Sequence, residues 1–548
     1  VTCSCRPIDI PCGHQGSGRN DHAFPRSEGG PSRKRVVVVG AGLAGLSAAL
    51  RLSADTIDIR VLEAASLPGG NAWFETWDGL RLPTAGSCFR SPEPGGEVEA
   101  LLATLGLAGQ WRSTGSSMQV LFRTGALMAH LHEVTLGFLR QPAYLLKPKV
   151  WGLTAGLVAA ALTGRPLIKA EKALGDPIFA DLYRFLSRLV PGGGCHPAVP
   201  WTPACGVARA EMEMLDRMTI RDFLFDPKAA RQLPPRLRPP RRLGGLVRLA
   251  VETTLRVEGL LLDTCSAYVG LHFLVGYLHG DLVALHGGNG AVSERLIAHL
   301  RDRAGVTVST DRPVAAIEAD GAGYRVRCDN GETLACDGVV VAAAKSVALS
   351  LLPDLPAAQR DAMGQIQYSD YVIVNARLKA PVRAESFGGY YIGDRPDPTA
   401  RTAFCQAGGI VNANWSAGPE AGGQGGLSFL KPVALREDQG RTMTTDPATM
   451  KAEAEAEVRR ALAAIGQSPD LLAEITLHRW PKGLVSPRPG QLADDIFARA
   501  SAPFGNIVFA NQDCSGVGSL ESAVGAGERA ARQLKDLLAS QPAAVAAQ

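Results

Sequence analysis

The chain has 548 residues, 46% of them hydrophobic and 20% charged, with a mean hydropathy of +0.03 and a formal net charge of +4. That length exceeds one ordinary hydrophobic core and predicts two or more lobes. The small charge argues against nucleic acid as the main partner. No apolar run reaches the ~20 residues of a membrane-spanning helix. Eleven scattered cysteines, an odd number, read as reduced thiols of a cytoplasmic protein rather than a disulfide framework.

Residues 1–33 are rich in Gly, Ser, Pro and charge and predict a disordered tail. The tail has no apolar h-region and does not read as a secretory signal. Cys3, Cys5, Cys12 and His14 fit no closed zinc spacing, so no metal site is expected.

The strongest signal runs from Lys34 to Asn71. Four consecutive valines, Val36 to Val39, read as a strand buried on both faces. Gly40, Gly42 and Gly45 follow at GxGxxG spacing, permitting a tight turn, close approach of a pyrophosphate, and packing of the next helix on the strand. Leu43 to Leu52 predicts that helix, with the first-turn N–H groups at Leu43 and Ala44 aimed at the pyrophosphate. A second strand, Ile57 to Leu62, ends at Glu63, about 20 residues beyond the glycines, where an acid takes ribose hydroxyls. A glycine loop alone is a weak signal; strand, glycines, helix, strand and acid in order predict a bound dinucleotide.

With Glu63, Ala64 and the glycine pair Gly69 and Gly70, this stretch resembles the FAD fingerprint of the flavin amine oxidase superfamily. That group includes carotenoid desaturases, protoporphyrinogen oxidases and spermidine-dehydrogenase-like proteins. The resemblance implies an α/β, two-lobed flavoprotein. A Rossmann-like FAD-binding domain would comprise 34–90, 286–345 and 496–540. Residues 91–285 would form a helical substrate or lid region, 346–495 a mixed substrate-domain sheet, and 541–548 a tail. Many members carry an arginine after the glycine pair, where this chain has Asn71.

Trp73 to Phe89 predicts strands broken by a turn at Asp78-Gly79. The resemblance places Ala85, Gly86 and Ser87 close to the flavin. Glu97 to Leu107 reads as an amphipathic helix. Ala126 to Val199 is apolar and mostly helical in pattern, and Val150 to Leu162 reads as a buried helix. A second reading rests that helix on a membrane surface beside a lipid-substrate entrance, since Lys147, Lys149 and Arg165 flank it. His130 and His132 are two apart and would not share a helix face, so they do not read as paired ligands. Leu233 to Leu243 is a proline-broken basic loop. Val251 to Val283 is again helical and, with the earlier helices, is expected to wall a substrate chamber.

His286 to Leu300 carries a glycine-rich turn ahead of a helix, followed by strands at Val306–Thr310 and Pro313–Glu318. The family arrangement implies that the Val314 backbone meets the adenine. Asp329-Asn330-Gly331 joins two strands. Val339 to Ala342 predicts a buried parallel strand, with Ala343 where the family chain leaves the sheet near the cofactor. Ser369 to Pro381 opens a strand-rich excursion. Several family oxidases place a lysine there that bonds a water at flavin N5; Val372, Ile373 or Val374 occupies that place here. Its absence favours a dehydrogenase or desaturase over a peroxide-producing oxidase. Ala448 to Ile465 predicts a charged amphipathic helix.

Asn506 to Asn511 predicts the last buried strand, and the chain then turns into a helix over Ser519–Leu538. The text FANQDCSGVGSLESAVGAG resembles the family's closing FAD motif. Asn511-Gln512 replaces the usual Gly-acid pair, and on the Asn-x-Asp pattern of spermidine-dehydrogenase-like relatives the ribityl role passes to Asp513. Gln512, Ser519 and Leu520 complete the implied cofactor contacts, the helix N-terminus facing the flavin pyrimidine ring. Candidate substrate-cage aromatics are Tyr390, Tyr391, Trp415 and Trp480.

The expectation is an FAD-dependent oxidoreductase that takes two electrons from a largely apolar small molecule by C–N oxidation. Oxygen, a quinone or another carrier would accept the electrons. Two alternatives stand beside it: a C–C desaturase or isomerase acting on a polyene, isoprenoid or fatty acyl chain, and a non-catalytic partner protein with a flavin fold.

Overall fold

The computed structural model describes residues 33–54, 57–114, 118–122, 145–146, 148–163, 167–169, 177–189, 197–203, 207–240, 243, 245–279, 281–382, 386–392, 408–417, 421–433 and 444–540. A parallel sheet organises the nucleotide-binding part. Its strands run in the order Val306–Ser309, Ile57–Leu62, Lys34–Val39, Gly338–Val341 and Ile507–Phe509. The valine run sits at the centre and is buried on both faces, as an uninterrupted apolar strand requires. Val36 and Val38 pack on the helices Leu43–Leu52, Gly290–Arg301 and Leu520–Ser540. Val37 and Val39 pack toward a three-stranded antiparallel sheet formed by Val314–Asp320, Gly323–Cys328 and Thr333–Cys336. The first and last helices cross closely because Gly527 has no side chain; a Cβ there would press into the Ala44 carbonyl.

The second sheet has seven strands, in the order Leu472–Val485, Tyr368–Leu378, Gly425–Val433, Gly409–Asn412, Gly388–Ile392, Met118–Phe122 and Leu167–Lys169. Its pairs are antiparallel except Gly388–Ile392 beside Met118–Phe122. One face, with Val372, Val374, Ala376 and Phe429, is covered by the Pro447–Ala464 helix through Met450, Ala454, Val458 and Leu462. Lys431 lies buried in this layer, ion-paired with Glu457 of that helix. The helices Pro177–Arg188, Arg209–Asp216, Ile220–Phe225, Gly245–Val257 and Ala267–His279 share an apolar core around Phe185, Phe223 and Tyr268.

Local signals held well at turns. Phe74–Trp77 and Leu80–Pro83 pair across Asp78 and Gly79, both at positive φ (46° and 77°), the backbone that an Asp-Gly hairpin turn demands. The described residues of 126–199 are mostly helical, in Pro148–Thr163 and Pro177–Arg188, with Leu167–Lys169 a short strand on the edge of the second sheet. The buried-helix reading of Val150–Leu162 is corrected: the helix Pro148–Thr163 leaves Trp151 55%, Val158 41% and Leu162 83% exposed. Apolar composition was read as burial, but a single helix can carry an unpaired apolar surface. His130, His132, Lys147 and Arg165 lie outside the described residues, and among those described no helix is long and apolar enough to cross a membrane.

Candidate active site

The glycine motif and the first acid converge at the carboxyl end of the central strands, where open α/β sheets bind ligands. Gly40 turns at φ 104°, and its N–H donates to the Leu62 carbonyl at 2.8 Å. The Ala41 N–H donates to Glu63 Oε2 at 2.8 Å and the Ala65 N–H to Glu63 Oε1 at 2.9 Å, so each carboxylate oxygen keeps a lone pair for a ribose hydroxyl. Gly69 donates its N–H to the Ala41 carbonyl at 2.7 Å, laying the second glycine pair against the first. Gly70 sits at φ 54° with its Cα face toward Gly42. The Leu43–Leu52 helix is capped by Gly42 with no side-chain bond, and a Cβ on Gly42 would meet nothing within 4 Å. The first-turn N–H groups at Leu43 and Ala44 therefore face an open cradle, the arrangement that takes a diphosphate. Ala64 follows the acid, and the Arg312 N–H donates to the Glu63 carbonyl at 2.8 Å, which brings the start of the Val314 strand to the same edge.

Further along, Gly86 donates its N–H to the Asn71 carbonyl at 3.1 Å and accepts the Asn289 N–H at 3.1 Å. A Cβ on Gly86 would come within 2.6 Å of Asn289 Nδ2, which accounts for glycine there. Ser87 is buried beside it. Thr84 Oγ1, Asn289 Oδ1 and Ser293 Oγ are buried with no hydrogen-bond partner. Buried polar atoms are ordinarily satisfied, and a polar ligand threaded from the glycine cradle past Gly69 and Gly86 would satisfy these. Cradle, acid and orphaned atoms together fit FAD.

Three separate segments are tied at the Gly483 carbonyl. It accepts Asn71 Nδ2 at 2.7 Å and Gln512 Nε2 at 2.9 Å. Asn71 thus holds the first lobe to the second sheet. Trp480 on the same strand donates its indole N–H to the Thr84 carbonyl at 2.7 Å. Ala343, partly buried, leaves the central sheet beside Ala342, whose carbonyl accepts Asn511 Nδ2 at 3.2 Å. Ser519 caps the closing helix, its Oγ accepting the Ser522 N–H at 3.1 Å, and Leu520 begins it.

Asp513 has a different environment from the one its motif position implies. It is fully buried, with Oδ1 accepting Lys345 Nζ at 2.7 Å and Oδ2 accepting the Lys345 N–H at 2.8 Å and the Tyr368 hydroxyl at 2.6 Å. Lys345 is equally buried and also reaches Cys514 Sγ at 3.1 Å. Burial alone would lower the Lys345 pKa, but Asp513 and Cys514 outweigh it and the net shift is upward. The sequence reading ends the strand at Ala342 and sets Ala343, Ala344 and Lys345 where the chain leaves the sheet near the cofactor, but it does not pair Lys345 with Asp513.

On the far side of Ser87, a second cluster lies between the lobes. Glu258 follows the Gly245–Val257 helix and accepts the Tyr277 hydroxyl. The Tyr277 and Tyr390 rings meet edge to face, centroids 6.5 Å apart, and Tyr390 bonds Thr254 one helical turn before Glu258. Burial pushes the Cys88 thiol up to about 12, with the Glu258 charge adding to it. Arg90 donates its N–H to Glu521 Oε1 at 2.6 Å and its guanidinium to the His272 carbonyl at 3.2 Å, lying where Gly276 offers no side chain. Among the cage candidates, Tyr390 joins this cluster. Trp415 is packed against Phe387 with Arg112 over its ring, a closed core position. Tyr391 lies on the Gly388–Ile392 strand, its side chain outside the described ones. Trp480 stands at the Thr84 edge of the cleft. The positions of Val372, Ile373 and Val374 are wholly apolar and buried. Among the described residues no cluster of His, Cys, Asp or Glu is arranged to hold a metal.

The family model for flavin containing amine oxidoreductases matches residues 43–535. The oxidoreductase PigB of Serratia sp. (strain ATCC 39006) is 42% identical over 504 residues, 91% of this chain and 75% of that protein. Two solved structures share the fold. Putrescine oxidase, bound to putrescine, covers 92% of this chain and 99% of its own at a TM-score of 0.60 and 18% identity. Cyclohexylamine oxidase from Brevibacterium oxydans IH-35A covers 93% and 100% at 0.61 and 18%. The chain belongs to the flavin-containing amine oxidoreductase family and is an FAD-dependent oxidoreductase acting on a small molecule.

Proposed function

We propose that the protein oxidises a small, largely apolar molecule at a C–N bond. FAD, when bound, supplies the two-electron acceptor. Gly40, Gly42, Leu43, Ala44 and Gly45 hold its diphosphate, Glu63 its ribose, and the Val314 backbone its adenine. Gly69, Gly70, Gly86, Ser87, Ala343, Gln512, Ser519 and Leu520 line the path to the flavin ring. The N-terminus of the closing helix would face the ring, the end whose dipole favours negative charge there. The second sheet and the helices over 209–279 exclude water from the substrate. The carrying observation is the polar-aromatic cluster of Cys88, Tyr277 and Tyr390 directly beyond Ser87, deep in the protein yet each partly accessible; in this reading it lines the space that the small molecule fills. Both structural relatives named above are, by their names, oxidases of amines.

A second reading, desaturation of a polyene or acyl chain, draws on the exposed apolar Pro148–Thr163 helix, a natural contact for a lipid surface, and on the absence of lysine at 372–374. A third, a non-catalytic partner with a flavin fold, draws on the altered Asn511-Gln512 pair. Anaerobic mixing of the FAD-loaded protein with apolar amines and, separately, with a polyene separates these. Amines alone are expected to bleach the visible flavin band. Bleaching by the polyene alone would replace the C–N reading with desaturation, and bleaching by neither would favour the third.

A further inference from the structure

Glu258 is a costly residue where it stands. It lies at the carboxyl end of the Gly245–Val257 helix, where the helix dipole disfavours a negative charge. The surrounding chain is fixed: the Tyr371 hydroxyl donates to the Val257 carbonyl at 2.9 Å, and Ser369 donates to the Gly259 carbonyl. One carboxylate oxygen, Oε1, takes the Tyr277 hydroxyl, and Oε2 accepts no hydrogen bond from the described residues. Glu258, Tyr277, Tyr390, Cys88 and Arg90 all retain partial solvent accessibility although each is deep in the protein. Their accessible surface therefore faces an internal space. The Glu258 charge acts on Cys88, next to Ser87, and Glu521, in the first turn of the closing helix, acts on Glu258, so that space adjoins the two segments expected to flank the flavin.

Resting on the C–N reading above, we propose that Glu258 recognises the substrate nitrogen, its free oxygen taking an N–H of an apolar amine whose hydrocarbon part lies against Tyr277 and Tyr390. The same group can then accept a proton. In the oxidation the substrate C–H bond breaks with its electron pair passing to FAD, the C=N bond forms from the nitrogen lone pair, and an N–H proton passes to the Glu258 carboxylate. Substrate carbon is oxidised, flavin is reduced, and charge balances.

Five groups face Glu258, and Tyr277, Arg90 and Glu521 among them shift its titration. Tyr277 comes from the Ala267–His279 helix, Arg90 and Cys88 from the segment after Ser87, Glu521 from the closing helix and Tyr390 from the second sheet. Burial raises the carboxyl to about 7, against the lowering effect of Tyr277 and Arg90. Amine binding needs the ionised form, so affinity rises with pH through that value. From about pH 6 to about pH 8 the ionised fraction, and with it amine affinity, grows about tenfold.

The test uses probes that cannot turn over. 2-Phenylpropan-2-amine has no C–H on the carbon bearing nitrogen, and 2-phenylpropan-2-ol is its neutral counterpart. Each is titrated into the FAD-loaded protein, and binding is followed by the shift in the visible flavin spectrum. Wild type is expected to prefer the amine by at least about tenfold, the weight of one charge-assisted hydrogen bond. Glu258→Gln, which keeps the Tyr277 bond, should lose that preference and the pH dependence while binding the alcohol as before. Glu258→Asp, which keeps the charge, should retain part of both and serves as the arm if the Gln variant does not hold FAD. Persistence of the full preference in Glu258→Gln, or its complete loss in Glu258→Asp with FAD retained, overturns the role of Glu258 alone. Equal binding of amine and alcohol by wild type overturns the C–N reading and this assignment with it.

Discussion

Replacing Lys345 with methionine tests what the buried pair beneath the closing turn contributes. The variant removes the Nζ donor from Asp513 Oδ1 but leaves the Lys345 backbone N–H and the Tyr368 hydroxyl on Oδ2. Breaking a buried ion pair from one side costs about 3–5 kcal/mol, and the two surviving donors place this case near about 3 kcal/mol. The folded-state pKa of Lys345 is raised, so its contribution is fully present below the ordinary lysine range and is lost only as pH rises through the higher folded value. The penalty should therefore be flat between about pH 6 and about pH 9. Urea unfolding followed by far-ultraviolet circular dichroism, on apo and FAD-loaded protein separately, measures it. The double variant Lys345→Met with Asp513→Asn removes both charges while keeping an acceptor for Tyr368, and should recover all but about 1 kcal/mol. A Lys345→Met protein as stable as wild type, or a double variant no better than the single, would refute the reasoning. Asp513→Asn alone separates the two roles open to that residue. A pair partner lowers the stability of apo and loaded protein alike, whereas a ribityl ligand weakens FAD affinity with apo stability intact.

Glu63→Ala should lower FAD occupancy after gel filtration. Because Glu63 also takes the Ala41 and Ala65 N–H groups, it should cost the apo protein about 1–2 kcal/mol as well; unchanged occupancy would contradict the ribose assignment. For the Pro148–Thr163 helix, the exposed Trp151 and Leu162 are the residues to change. If this surface meets lipid, Trp151→Ser with Leu162→Ser should abolish sedimentation with anionic phosphatidylserine-containing vesicles while leaving FAD content unaltered; wild type that stays in the supernatant would remove the membrane reading.

Sequence and structure agree most closely where one short segment supplies its own context. The valine run, the glycines, the helix and Glu63 lie within thirty-odd residues, and each local preference demands the next, so their meeting at the sheet edge was legible. The Asp78-Gly79 turn was legible for the same reason: positive φ at two successive positions narrows the choice of residues. Legibility fails at pairs joined only by tertiary structure. Asp513 and Lys345 are 168 positions apart, and nothing local distinguishes a carboxylate turned toward a cofactor from one turned into the core against an ammonium. A motif locates a turn; it does not fix which way the side chain of an altered member points.

Glu258 illustrates the same limit from the other side. In VETTLRVEGLLLD it reads as one more solvated acid near a helix end, the ordinary fate of glutamate on an amphipathic helix. Its isolation depends on Tyr277, Tyr390 and Cys88, which arrive from a helix, a distant sheet and the first lobe. The glycine motif and Glu63, expected to take the diphosphate and ribose, are written in one short run of residues. What the flavin is presented with is decided by the walls between the lobes, where each contact joins remote segments. Substrate choice in such a protein should therefore change through single buried substitutions at positions like 258, while the glycine motif and its acid stay the same.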